Sequence, residues 1–136
     1  MKNLGKFLLT LFFFTLSHPS HSETIGLEET NKFILAALNA GNASELSKYF
    51  NSMVDLGITG TEDSYSKNHA SRILQDFFTK YPVKSVKILK QGNSNDGSQF
   101  SIGEIVAGTK TFRLYYLLKK NSTQYLIQQF QIEEEN

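Results

Sequence analysis

Apolar and polar positions divide the chain into three regimes. Residues 7–16 (FLLTLFFFTL) are almost continuously apolar, residues 27–81 repeat apolar positions every three or four, and from Val83 the repeat shortens to two. The longer period is that of a helix with one buried face, and the shorter is that of a strand. Leu27, Phe33, Ile34, Ala37 and Leu38 predict a first helix, stopped by Gly41-Asn42. Asn42, with Glu45 three residues on, resembles a capping box that opens a short second helix with Leu46, Tyr49 and Phe50 as its stripe. Met53 to Ile58 reads as a short strand, followed by a polar turn region. Ser66 is a good N-cap for a third helix, whose Ala70, Ile73, Leu74, Phe77 and Phe78 mark one buried face. Tyr81-Pro82 ends it, because a residue before proline avoids the helical region.

Four strands follow, at Val83–Gln91, Ser98–Ala107, Lys110–Lys120 and Thr123–Glu133. The links Asn93–Gly97, Gly108-Thr109 and Asn121-Ser122 are short and rich in turn formers, which forces an antiparallel meander. By alternation, its apolar face carries Val86 and Ile88; Phe100, Ile102 and Val106; Phe112, Leu114, Tyr116 and Leu118; Leu126, Phe130 and Ile132. Helices packed on that face give an α+β domain of order α-α-β-α-β-β-β-β with a curved antiparallel sheet.

The first apolar run has about half the ~20 residues needed to span a bilayer. With Lys2 and Lys6 before it and Ser20-x-Ser22 after it, the run reads as a secretory signal cleaved after Ser22. An uncleaved anchor is the alternative. The signal is expected to form a helix making few contacts with the domain, residues 23–136. Cysteine is absent, so neither disulfides nor a Cys-linked lipid anchor is available. The expected product is periplasmic or secreted, without a stable membrane anchor. Losing Lys2 and Lys6 from 14 basic residues leaves 12 against 13 acidic, a net charge near −1. A nucleic-acid partner, which calls for a basic surface, is not expected. Lys84, Lys87 and Lys90 read as strand and edge solubilisers, with Lys87 on the face opposite the other two.

The order of elements resembles the nuclear-transport-factor-2-like (cystatin-like) superfamily. Gly41-Asn42-Ala43 with Leu46 and Tyr49-Phe50, then Tyr65-Ser66-Lys67 with Ala70, Ile73-Leu74 and Phe77-Phe78, resembles an uncharacterised family of small exported bacterial proteins. The first resemblance implies a bent sheet wrapping a helix around an internal cavity. Neither supplies catalytic residues, since that superfamily hosts isomerases, dehydratases, ligand binders and dimeric modules alike.

Candidate chemistry is sparse. With His18 and His21 in the signal, His69 is the one histidine left, and no ligand spacing suggests a metal or other cofactor. Asp96-Gly97 reads as hairpin-turn chemistry, not a calcium loop. His69 borders the third helix's buried face, either as a base at a cavity rim or as a first-turn histidine bonded to a neighbouring loop. Glu104 shares a face with Phe100, Ile102 and Val106 by strict alternation. It then joins Tyr116 and Gln128 in a polar cluster inside the cavity, unless a bulge at Gly103 turns it out. A cavity enzyme would use a carboxylate base with a Tyr or His donor, drawn from Asp55, Glu104, Tyr65, Tyr116 and His69. The reverse sheet face carries Arg113, Tyr115, Leu117, Tyr125, Ile127 and Gln129, a mixture suited to a protein partner or a second copy. The leading expectation is a non-catalytic module binding a small apolar ligand or a protein. The cavity enzyme is the alternative, and a self-associating structural protein is a third reading.

Overall fold

The computed structural model describes residues 26–136. The secretory signal, its cleavage after Ser22 and the helix expected over it lie outside the described residues.

Helix α1 (Leu27–Asn39) buries Ile34, Ala37 and Leu38. It ends where Gly41 takes a φ of +60°, a left-handed value glycine adopts without strain. The Gly41 amide donates to the Leu38 carbonyl at 3.0 Å and the Asn42 amide to that of Ala37 at 2.9 Å, the bonding of a Schellman stop. Asn42 then caps α2 (Ala43–Ser47) as expected, its Oδ1 accepting from the Glu45 amide at 3.0 Å. Helix α2 is short enough that Phe50 leaves it and opens β1 (Phe50–Ile58). The turn region holds an unexpected strand, β2 (Thr61–Ser66), joined to β1 through Thr59-Gly60. Both turn residues have positive φ, 45° and 90°, as a two-residue hairpin of matched twist demands. Ser66 caps α3 (Lys67–Lys80), its Oγ accepting from the His69 amide at 3.3 Å.

The expected meander follows as β3 (Val83–Asn93), β4 (Gln99–Ala107), β5 (Lys110–Asn121) and β6 (Gln124–Glu134). The sheet is nevertheless six-stranded, in the order β2-β1-β6-β5-β4-β3, with β1 parallel to β6 and the other pairs antiparallel. The helices cover one face. Their Ile34, Leu38, Leu46, Ala70, Leu74, Phe77 and Phe78 close a core with Val54, Leu56, Ile105, Phe112, Leu114, Leu118, Phe130 and Ile132 from the strands. Phe77 meets Phe112 edge-on, with ring centroids 5.0 Å apart, and so fastens α3 to the middle of the sheet.

Three expectations about sheet faces are overturned. Strand β4 turns Ser101, Gly103, Ile105 and Ala107 inward, so Phe100, Ile102, Glu104 and Val106 stand on the outer face. The inward position at Gly103 has no space for a side chain. A Cβ on Gly103 would lie 2.6 Å from the Lys87 carbonyl oxygen and 3.2 Å from Ile88 Cδ1. In β6, the register with β5 slips by one residue at Gln128, which sends Ile127 into the core and Leu126 to the other side. In β3, a similar slip at Leu89 brings Lys90 onto the same outer face as Lys87.

Candidate functional site

The interior holds one polar group of note. The Tyr116 hydroxyl, fully buried, donates to Asn31 Oδ1 at 2.7 Å. Asn31 in turn donates through Nδ2 to Gln99 Oε1 at 2.7 Å and to the Leu27 carbonyl at 3.0 Å. Gln91 Nε2 donates to Ser101 Oγ at 3.0 Å, and Ser101 also bonds Tyr116. Burial pushes the Tyr116 phenol above its ordinary value, offset in part by the Ser101 bond. Every member is neutral at physiological pH, and no buried side-chain nitrogen or oxygen among the described residues lacks a partner. The network anchors the start of α1 to β4 and β5. It contains no carboxylate or imidazole that could take a proton.

The residues expected to meet in a cavity do not meet. Glu104 lies on the outer face between Lys87 of β3 and Arg113 of β5, in regular pairing, with no bulge at Gly103. Asp55 is also on the outer face, accepting from Ser64 Oγ at 2.8 Å across the β1–β2 hairpin. Gln128 is the extra residue of the β6 bulge, where its Oε1 accepts from Asn51 Nδ2 at 3.0 Å. Tyr65 packs at the core's margin, edge-on to His69 with centroids 4.9 Å apart, and the imidazole is exposed in the first turn of α3. Only Tyr116 is interior, and its true partners, Asn31 and Ser101, carried no signal because each looks like an ordinary helix or strand polar residue. A cavity of about 70 Å³ lies elsewhere, lined by Thr30, Lys48, Tyr49, Gln124, Tyr125 and Leu126. No group of three or more metal-ligating side chains occurs among the described residues.

The outer face is different in kind, because no described element covers it. Strand pairing arranges its side chains in rows across the sheet. One row reads Lys87–Glu104–Arg113–Glu133, from β3 to β6. The next reads Lys90–Ile102–Tyr115–Gln131 and continues through Gly57 to Glu62. The third reads Gly92–Phe100–Leu117–Gln129 and continues through Asp55 to Ser64. Phe100 lies flat against Gly92, where a Cβ would meet the ring at 2.4 Å. Of the residues expected here, Arg113, Tyr115, Leu117 and Gln129 are present and Ile127 is not. Tyr125 sits at the start of β6, with the Lys120 ammonium 6.0 Å from its ring. The turn of β4 adds Phe100, Ile102 and Val106, making the face more apolar than the sequence suggested.

The sequence profile of the family described as Domain of unknown function (DUF4783) matches residues 31–133. A crystal structure of a DUF4783 family protein from Bacteroides ovatus is 35% identical, with a TM-score of 0.72 over 76% of this chain and 94% of that one. Another from Bacteroides uniformis is 30% identical, with a TM-score of 0.73 over 77% and 96%. An NTF2-like protein of unknown function from Cytophaga hutchinsonii, 13% identical, shares the fold with a TM-score of 0.57 over 79% and 88%. No curated protein matches the chain. The expected nuclear-transport-factor-2-like (cystatin-like) fold is thus the fold of this chain.

Proposed function

Because the chain belongs to the DUF4783 family, whose description assigns no activity, we propose its function from its own surfaces: an exported, non-catalytic module that binds through the outer face of its sheet. The observation that carries this reading is the uncovered stripe of Phe100, Ile102, Val106, Tyr115 and Leu117, flanked by Arg113 and Glu104. Aromatic and aliphatic area beside an arginine is the composition of interface centres. A small apolar ligand inside the fold has less support, because side chains fill the interior and the core polar group is satisfied within the protein. The cavity enzyme also has less support, since Glu104 and Asp55 stand on the outer face and His69 is exposed in the first turn of α3, all away from the buried Tyr116. Export rests on the apolar run and the Ser20-x-Ser22 site.

Native mass spectrometry of the protein isolated from its own envelope fraction tests the proposal, with Tyr115→Arg as the variant. The expected result is a chain beginning at Glu23, free of small molecules, with a bound polypeptide that is lost in Tyr115→Arg. A lone chain carrying a small molecule that survives the substitution would overturn it.

A further inference from the structure

We infer that the open half of the β3 edge takes up an extended, acidic segment of a partner protein as a seventh strand of the sheet. Strands β2 and β3 are the two ends of the sheet, so each presents a row of main-chain groups with no neighbouring strand. Along β3 that row is closed at one end only. The Val86 amide faces away from β4 and donates at 3.2 Å to Oδ1 of Asn39, the last residue of α1. Toward its start α1 leaves this edge, since its Asn31 bonds Gln99 of β4. The Ser94 amide donates to the Ser98 carbonyl across the β3–β4 turn, so alternation back along the strand turns the amides of Asn93, Gln91 and Leu89 outward. The side chains of Gln91 and Asn93 leave that row clear. Gln91 Nε2 donates to Ser101 at 3.0 Å and Asn93 Oδ1 accepts from Gln99 at 3.3 Å, both partners on β4. Among the described residues, the main chain of 89–93 bonds to nothing beyond β4.

Charge and apolar exposure identify the chemistry of the occupant. Strand β3 carries Lys84, Lys87 and Lys90 and no acid. The slip at Leu89 sets Lys87 and Lys90 on one face, and among the described residues neither joins an ion pair. Lysines on an edge repel a second basic strand and thereby select an acidic one. Pairing of β3 with β3 of another copy is disfavoured for that reason. Strand β2 of another copy carries Glu62 and Asp63 but no free apolar side chain, because its Tyr65 packs at the core's margin. Leu89 calls for one, being 55% exposed at the bulge beside Lys90. The occupant is therefore a segment with acidic residues at alternate positions, along the lysine face, and aliphatic residues between them. Leu89–Asn93 spans about 17 Å of strand, so about six residues of such a segment fill the edge.

A labelled hexapeptide alternating glutamate and valine, followed by fluorescence anisotropy with the unaltered exported chain, tests this directly. Binding should be saturable, and NMR hydrogen exchange should slow at the amides of Leu89, Gln91 and Asn93 when the peptide is present. Lys87→Glu combined with Lys90→Glu should weaken binding by about ten-fold or more, since two attractions become repulsions. Only alternate amides of an added strand face the edge. Of two hexapeptides N-methylated on the two alternate sets of nitrogens, one should therefore bind like the parent and the other about ten-fold or more weakly. No binding, unchanged exchange at the three amides, or unchanged affinity in the double variant would each overturn the inference. So would two methylated peptides of equal affinity, a lysine-for-glutamate hexapeptide that binds as tightly, or a chain that grows by edge-to-edge assembly in light scattering. The edge is a different surface from the outer face, and Tyr115→Arg keeps the two apart. Hexapeptide binding that survives Tyr115→Arg supports the edge site, and binding lost with it overturns the edge site. A chain that ignores the hexapeptide but still loses its envelope partner in Tyr115→Arg would end this inference and leave the proposed function standing.

Discussion

Tyr116→Phe removes a single oxygen from the middle of the protein and leaves the ring in place. The hydroxyl bonds Asn31 at 2.7 Å with no exposure to water. A buried hydrogen bond of this kind contributes about 1 kcal/mol net, and stranding Asn31 Oδ1 without its donor adds about 1–3 kcal/mol. The expected loss is about 2–4 kcal/mol, or about 8–15 °C in Tm for a domain of this size. Removing both partners, in Tyr116→Phe with Asn31→Leu, should cost less than the two single changes together, by about 1 kcal/mol or more. The same oxygen also makes a pH signature. Burial raises the folded phenol above its ordinary 10.0, so as pH rises past that value the unfolded chain releases its proton first. The folded state then holds more protons than the unfolded one, and stability falls as pH climbs toward the folded pKa. Below about pH 10 the group contributes no slope. Urea unfolding of both forms from about pH 8 to about pH 11 isolates this term, since the other tyrosines cancel in the difference. The advantage of the unaltered protein should hold constant and then shrink above about pH 10. A change below about 0.5 kcal/mol at neutral pH, or a difference flat across the range, would refute the buried network.

Four other outcomes follow from local geometry. Gly103→Ala should destabilise by about 2–4 kcal/mol, because the new Cβ meets the Lys87 carbonyl, which cannot swing aside. Gly92→Ala should cost about 1 kcal/mol or less, because the Phe100 ring it meets can rotate away, and thermal melts giving the reverse ranking would contradict the placement of β4. Thr59→Asn should stabilise by about 0.5–1 kcal/mol, since Thr59 holds a φ of +45° that a β-branched residue adopts poorly; an unchanged or lowered Tm counts against the turn assignment. The Ser98 hydroxyl and amide donate to Asp96 at 2.6 and 3.0 Å and hold its carboxyl below the ordinary 3.8. Any stability from that group is present at higher pH and lost as pH falls through the lowered pKa. NMR titration should show the Asp96 midpoint moving up toward 3.8 in Ser98→Ala, and an immobile midpoint would exclude the bonds.

Local signals carried much of the architecture. The helical period, the Asn42 and Ser66 caps, the Gly41 stop and the Tyr81-Pro82 boundary each act within a few residues, so α1, α2 and α3 could be placed from the chain alone. The four last strands were legible for the same reason, since short turns leave an antiparallel meander as the one available pairing. Strand β2 was not legible. It lies at the sheet edge, reads Thr-Glu-Asp-Ser-Tyr-Ser, and buries too little to impose an alternating pattern.

The candidate site depended on facts no local pattern contains. Both alternations of β4 are admissible in sequence, and the more apolar one, Phe-Ile-Glu-Val, looked like the core. Only the packed structure reveals that the inner side buries Ser101, Ile105 and Ala107 and leaves no space for a side chain at Gly103. One-residue slips at Leu89 and Gln128 then re-aimed Lys90 and Ile127, because a strand's period of two turns any slip into a change of face. The chain alone thus determined which segments become helix and strand, through short-range sterics and hydrogen bonding. Which way each strand faces, and so whether Glu104 serves a cavity or a surface, was decided by contacts between residues far apart in sequence.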